Sequence, residues 1–352
     1  MDQNTVKKRK YIFMYPDIAR PTIEEISKGR VPRERLAGLY QLKEQGWDVD
    51  ISDSRWEGKL SPMRRRFKRY FTIPSVRMFK DWWPADVIVI KDDFSLFLTL
   101  SARILRKEIV YLDSMFALPK SKIRRFLLKI NLIFSNKIIC FSETQANLWA
   151  REFDVARSKF LVSHYCVDVE FYMNNRSTKN IRKDQIIAIG RDIGRDFYTL
   201  ISAVNEKDIP LIIVTLPYLL SKIDVVPKNV SIKERLSYDE LFEIYSQSSI
   251  SVVSLKDFMT YPSGIRAVME AMLQGVPVIA TRTPVLEEYF SHGEDILFVE
   301  AGSAKDLSDK IDLLIENNKF SIMLSKNATK KIESDFSLEN YVLDLSNYLA
   351  KK

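Results

Sequence analysis

Two α/β domains in tandem, each a doubly wound, mainly parallel sheet, are what this chain predicts, and three observations predict them. Short apolar runs of strand length alternate with stretches of helical period. A polar segment with neither pattern, 173–184, interrupts the series near its midpoint. The 352 residues suffice for two full-sized cores. Strand–helix alternation implies parallel pairing with helices on both faces, because parallel neighbours need a crossover connection.

The first series opens with a strand over 11–15, Tyr-Ile-Phe-Met-Tyr, directly after the basic Lys7-Lys8-Arg9-Lys10. Further strands are expected at 48–52, 86–90, 108–112, 137–141 and 160–163, with helices over 32–45, 95–105, 120–134 and 143–152. After the linker, strands are expected at 185–190, 210–215, 230–233, 250–255, 276–281 and 296–299. Helices between them fall at 198–204, 238–246, 264–273, 285–290 and 304–316, and 336–350 closes the chain as an amphipathic helix. The domains expected are therefore 1–172 and 185–335, joined by 173–184 and followed by the helix of 336–352. A ligand is expected in the cleft between the domains, at the carboxyl ends of the strands.

Composition narrows the function classes. Hydrophobic residues at 46% and charged residues at 28% are ordinary for a globular protein. Two cysteines, Cys140 and Cys166, sit in strand-like runs, which points to a reduced, cytosolic protein rather than a disulfide scaffold. His164 and His292 are far apart and no Cys/His cluster has metal spacing, so no metal site is expected. No apolar run approaches the roughly 20 residues of a membrane span.

One stretch carries the strongest chemistry. Tyr261-Pro262-Ser263-Gly264-Ile265 is a turn that enters a helix, and a buried-strand run from Val276 follows at once. Unpaired amides at Ser263, Gly264 and Ile265, with the positive end of the helix dipole, make a place for a phosphate. Glu270, about two turns in, is a carboxylate among Ala, Val and Met, where it needs a hydrogen-bond donor such as a sugar hydroxyl. Upstream, Gly190-Arg191 and Arg195 straddle a turn after a strand, and two guanidiniums there suit a diphosphate. The alternative for both is an ion pair with Asp192 or Asp196. Asp113 ends the run Ile109-Val110-Tyr111-Leu112, placing it at a strand's carboxyl end, and Asp92 and Asp93 hold the equivalent place one strand earlier. Each either contacts substrate or caps a helix.

The charge is uneven. Residues 1–170 carry 32 Lys and Arg against 21 Asp and Glu, hence +11; the remainder carries 22 against 25, hence −3. The excess concentrates in Arg64-Arg65-Arg66-Phe67-Lys68-Arg69-Tyr70-Phe71 and the nearby Trp82-Trp83, with a basic amphipathic helix at 120–129. Cations among aromatics fit an anionic membrane surface ahead of a merely solvated face, with nucleic acid third and no specific RNA binding expected.

Residues 186–340 resemble the retaining GT-B glycosyltransferases of family four. The resemblance rests on Gly190-Arg191 with Arg195 and Thr199-Leu200, on Glu270-Ala271-Met272 with Gly275-Val276-Pro277-Val278, and on Glu287-Glu288 followed by Gly293. The first half fits more loosely, through Gly29, Leu36-Ala37, Gly46, Ser142-Glu143-Thr144 and Val167-Asp168. The resemblance implies two Rossmann-like domains facing across a cleft, with the C-terminal helix packing back on the first. It also implies a nucleoside-diphosphate sugar donor, UDP- or GDP-linked, with no metal or other cofactor, and transfer with retention to a lipid-linked or saccharide acceptor. In that family's arrangement Arg191 and Arg195 clamp the diphosphate, Glu270 holds the ribose, and Asp113 binds the reacting sugar. The family's work in surface polysaccharide assembly implies a cytoplasmic enzyme at the inner face of the cell membrane, docked through Arg64, Arg65, Arg66, Lys68, Arg69, Trp82 and Trp83. The first glutamate of the family's Glu-x7-Glu pair is Pro262 here. That departure keeps open a catalytically silent nucleotide-sugar-binding subunit, and the two-domain scaffold itself leaves a nucleotide-sugar epimerase as a further alternative.

Overall fold

The computed structural model describes residues 9–15, 19–53, 76–91, 95–112, 118–176, 185–205, 207–221, 223, 225–257 and 259–351. The chain divides into two compact units, one of residues 1–28, 35–164 and 341–352, the other of 29–34 and 165–340. Residues 165–172, expected with the first domain, thus group with the second.

The first unit is built on a parallel six-stranded sheet of order β2-β1-β3-β4-β5-β6. Its strands are β1 (Lys10–Met14), β2 (Asp48–Ile51), β3 (Val87–Lys91), β4 (Glu108–Leu112), β5 (Lys137–Cys140) and β6 (Phe160–Val162). Ile12 pairs with Ile88 and Val89 with Val110, so every residue from Val87 to Ile90 is buried on one face or the other. Hence the central strands read as unbroken apolar runs rather than alternating ones. Helices α1 (Ala19–Ser27), α2 (Leu39–Glu44), α3 (Val76–Trp82), α4 (Leu96–Ile104), α5 (Lys122–Phe134) and α6 (Glu143–Phe153) connect them. Ser95 and Ser142 cap α4 and α6 by accepting from Leu98 N and Gln145 N.

The helix expected over 32–45 is broken. A 3-10 turn at Arg33–Leu36 is followed by Ala37 at φ 49° and Gly38 at φ 80°, and only then by α2. The last helix, α14 (Leu338–Ala350; numbered last in chain order), explains the break: a Cβ on Gly38 would lie 2.7 Å from Val342 Cγ2. Residues 341–351 pack on this unit as expected. Tyr348 OH donates to Val162 O (2.6 Å) and Lys137 Nζ to Tyr348 O (2.9 Å), while Val342, Leu345 and Leu349 are buried.

The second unit holds a parallel sheet of order β12-β11-β10-β7-β8-β9. Its strands are β7 (Ile186–Ile189), β8 (Leu211–Val214), β9 (Val230–Lys233), β10 (Ile250–Val253), β11 (Val278–Thr281) and β12 (Leu297–Val299). The helices are α7 (Val169–Asn174), α8 (Phe197–Val204), α9 (Tyr238–Ser246), α10 (Ile265–Leu273), α11 (Pro284–Glu287), α12 (Ala304–Glu316) and α13 (Asn318–Asp335). Every residue of α10 except Arg266 is buried. The chain runs outward from β7 to β8, then returns to place β10 on the other side of β7. The carboxyl ends of β7 and β10 are therefore the topological switch point, where open α/β sheets take their ligands.

Candidate functional site

At that switch point the loop after β7 crosses to the loop after β10. Asp196 N donates to Ser254 O (3.0 Å), and Arg195 forms an antiparallel bridge with Leu255. Asp196 then caps α8, accepting from Thr199 N at 3.2 Å and from its hydroxyl at 2.6 Å. This commits Asp196 to the helix and leaves Asp192 as the acid beside Arg195.

Arg195 is 7% exposed, rare for a cation. Its side chain lies against Gly190: a Cβ there would come within 1.9 Å of Nε. A Cβ on Gly264 would come 3.0 Å from Nη1, so the guanidinium bridges the end of β7 and the start of α10. Gly190 is needed as glycine because the arginine occupies the space a side chain would take, and Gly264 because its φ is 80° and a Cβ would also come 2.6 Å from Val253 Cγ1. Asp192 Oδ2 is 3.4 Å from Nε. Burial pulls the Arg195 pKa down from its ordinary value, opposed chiefly by Asp192. A buried cation with one part-exposed partner retains electrostatic demand for an anion.

Gly264 has φ 80° and opens α10 with no side-chain cap. The first intrahelical bond is Val268 N to Gly264 O, 3.0 Å. The Gly264 and Ile265 amides ahead of it find no acceptor among the described residues. Ser263 departs from expectation. Its amide already donates to Tyr261 O at 2.6 Å, and its hydroxyl donates to Asp192 Oδ1 at 2.9 Å, alongside Gly194 N at 2.8 Å. Ser263 therefore shapes the turn through Asp192 rather than offering its own N–H. Arg191 is exposed on the same turn, so the structure brings one of the two expected arginines to the helix start and leaves the other facing solvent.

Glu270 is 6% exposed and held by two donors on one oxygen. Tyr172 OH donates to Oε1 at 2.9 Å and Arg266 Nε at 2.8 Å. Oε2 takes no hydrogen bond from the described residues. Arg266 also donates to Tyr238 OH and lies 3.6 Å from Glu34 Oε1. Glu34, 5% exposed, accepts from Asp168 N (3.2 Å), and its Oε1 lies 3.3 Å from the Tyr172 hydroxyl oxygen. Burial pushes its carboxyl up to about 7, against Arg266, which lowers it; Asp168 and Glu270 raise it further. Edge-on packing of Phe171, Tyr172 and Tyr238, with ring centroids 5.1 to 6.1 Å apart, fixes the tyrosines. Tyr245 OH is buried with no hydrogen-bond partner among the described residues, within electrostatic reach of Glu270 and Arg195.

Sequence patterns did not single out Glu34, Tyr172, Tyr238 or Arg266. The one available signal was the four-residue spacing of Arg266 and Glu270, which puts them on one helix face. Asp113, Asp92, Asp93, Arg64, Arg65, Arg66, Lys68 and Arg69 lie outside the described residues. Trp82 is corrected: it is 0% exposed in the core of the first unit and cannot meet a surface. Its neighbour Trp83 is 73% exposed. The helical turn that carries both points them in different directions, which adjacency in sequence concealed.

Residues 219–331 match the family model for glycosyl transferases group 1. No protein of curated function matches the chain significantly. Among solved structures, Anabaena HepE in complex with UDP and glucose superposes with a TM-score of 0.71 at 14% identity, over 97% of this chain and 100% of that one. Sucrose-phosphate synthase from Thermosynechococcus elongatus gives 0.71 at 17%, over 97% and 98%. A glycosyltransferase from Rickettsia africae gives 0.66 at 13%, over 98% and 100%. The two parallel six-stranded sheets with their helices are the GT-B, two-domain Rossmann-like fold. With the matched segment in the second unit, they support a GT-B glycosyltransferase.

Proposed function

We propose that the protein transfers a glycosyl group from a nucleoside-diphosphate sugar, with UDP the first nucleotide to test, to a hydroxyl of a lipid-linked or saccharide acceptor. The observation that carries this is the Arg195 guanidinium, buried between Gly190 and Gly264 beside the unpaired amides of α10. The solved structures of similar fold include complexes with UDP and UDP-glucose, which makes uracil the base to test first.

In the proposed step the bond from the anomeric carbon to the diphosphate oxygen breaks and its electron pair leaves with the diphosphate. The acceptor oxygen forms the new bond to that carbon, and its proton passes to a phosphate oxygen. Arg195 and the Gly264 and Ile265 amides meet negative charge that grows on the leaving group, where fixed donors accelerate reaction most. Arg191, exposed on the same turn, reaches the outer phosphate, and Glu270 Oε2 accepts from the ribose. Retention of configuration, Asp113 as the sugar-binding acid, and independence from a metal complete the proposal. Among the described residues no three His, Cys, Asp or Glu side chains are grouped as for a metal.

The acceptor side is proposed to be a membrane surface in polysaccharide assembly at the cytoplasmic face. Among the described residues no helix is long and apolar enough to cross a membrane. On the first unit, Phe79 within α3 and Trp83 just after it, Ile104 of α4, and Ile123 and Phe126 of α5 are exposed, as are Arg77, Lys80, Arg103 and Lys122 on or beside the same helices. That mixture of apolar tips and cations supports docking on anionic lipid. Pro262 keeps one second reading in play, a silent subunit that binds donor without transfer.

The test is a thermal-shift panel of UDP-, GDP-, ADP- and CMP-sugars, followed by nucleotide release with and without acceptor in EDTA. One sugar nucleotide should raise the melting point and release its diphosphate only with acceptor present. Binding without release for any acceptor favours the silent subunit; conversion of the free sugar nucleotide favours an epimerase. No response to any of them contradicts the proposal.

A further inference from the structure

We infer that Glu34 is a positioning residue for the nucleotide: it competes with Glu270 for the Tyr172 hydroxyl and the Arg266 guanidinium, and only as a neutral acid leaves both on Glu270. This deepens the donor-site proposal and rests on it.

Tyr172 has one hydroxyl hydrogen and two carboxyl oxygens within reach, Glu270 Oε1 at 2.9 Å and Glu34 Oε1 at 3.3 Å. It can donate to only one of them. The geometry favours Glu270, and the longer contact is satisfied in the opposite sense when Glu34 is protonated. The proton chain then runs from the Glu34 acid to the Tyr172 oxygen, and from the Tyr172 hydrogen to Glu270. Glu34 Oε2 stays with the Asp168 N–H at 3.2 Å in either state. Arg266 behaves alike: its Nε is 2.8 Å from Glu270, while Nη2 stands off Glu34 at 3.6 Å. Once Glu34 is ionised it is a buried charge with two distant donors, and it gains by drawing both toward itself. Glu270 then loses the two bonds that fix Oε1 and orient Oε2.

The ionisable groups around Glu34 are Tyr165, Asp168 and Tyr172 in and before α7, Arg266 and Glu270 on α10, and Tyr238 on α9 behind the arginine. Tyr165 and Tyr172 are pushed well up by burial and stay neutral, and Arg266 is pushed up and stays charged. Glu34 is placed to change charge close to neutrality, with its carboxyl at about 7. If only the neutral form holds Glu270 correctly, apparent affinity follows the competent fraction, which falls about tenfold between pH 6 and pH 8.

The experiment is calorimetric titration of the full chain with UDP at pH 6 and pH 8. Glu34→Gln presents a carbonyl to Asp168 N–H and an NH2 to the Tyr172 oxygen, copying the neutral acid without titrating. The parent should lose about tenfold more affinity across this interval than Glu34→Gln, whose residual slope reports the ionisation of UDP itself. Tyr172→Phe, which keeps the ring, should bind more weakly at pH 6 and lose the excess slope. Equal slopes in parent and Glu34→Gln would overturn the inference while leaving the donor site standing. A parent that binds no UDP, GDP or ADP at either pH removes the donor site and the inference with it.

Discussion

Replacing Glu34 by Gln should make stability less sensitive to pH, and its size follows from burial. The folded carboxyl sits at about 7 against an ordinary 4.5. The native state therefore binds this proton more tightly than the unfolded chain does. Its contribution to stability is full below pH 4.5 and is lost as pH rises through about 7. At about 1.4 kcal/mol per tenfold change, the full loss is about 3.5 kcal/mol, of which about 3 kcal/mol falls between pH 4.5 and pH 8. Glutamine makes the same contacts as the neutral acid and has nothing to lose. The variant should thus match the parent near pH 4.5 and exceed it by up to about 3 kcal/mol at pH 8. Urea unfolding at several pH values measures this, and far-UV dichroism must follow it. All five tryptophans (Trp47, Trp56, Trp82, Trp83 and Trp149) fall in residues 1–164, so their fluorescence reports the wrong unit. Every other titrating group is common to both proteins and cancels in the difference. A stability difference that stays constant from pH 4.5 to pH 8 would refute the assignment of Glu34 as the strained acid.

Trp82→Ala should cost about 3–5 kcal/mol in unfolding free energy, whereas Trp83→Ala should cost well under 1 kcal/mol, a contrast that equilibrium denaturation reads directly. Trp83→Ala is instead expected to weaken sedimentation with anionic vesicles. Gly264→Ala adds a side chain at φ 80°, 2.6 Å from Val253 Cγ1 and 3.0 Å from Arg195 Nη1. It should destabilise by about 1–3 kcal/mol and weaken UDP binding by calorimetry, since the arginine must shift. Tyr348→Phe breaks the bond from α14 to Val162 O, so its expected cost is about 1 kcal/mol in the same unfolding assay.

Most of the strands among the described residues were legible because buried parallel strands are unbroken apolar runs, such as Val-Ile-Val-Ile at 87–90, whereas the edge strands β2 (Asp-Val-Asp-Ile) and β9 (Val-Ser-Ile-Lys) showed alternation instead. Helices were harder. α13 buries only Ser321, Leu324, Ser325, Ala328 and Ile332, so three of the five residues in its core stripe are serine or alanine and it shows little apolar period. The helix over 32–45 read as continuous because nothing local disclosed that Val342, three hundred residues on, needs the space at Gly38. Of the candidate site, Gly190, Arg195, Gly264 and Glu270 were legible as candidates because strand–glycine–helix junctions are local. Glu34 and Tyr172 were not, because their role arises from a tertiary contact between residues far apart in sequence. The burial of Trp82 was invisible for the same reason.

The claim on which the rest depends is that Arg195 faces phosphate and Glu270 faces ribose. It is tested most directly by titrating UDP, UMP and uridine into the parent, Arg195→Ala and Glu270→Gln. Arg195→Ala should weaken UDP by at least about tenfold and leave uridine unchanged, because in the proposed site its guanidinium would meet only the diphosphate. Glu270→Gln should weaken all three by a similar factor. Equal losses for UDP and uridine in Arg195→Ala, or no loss at all, would contradict the account.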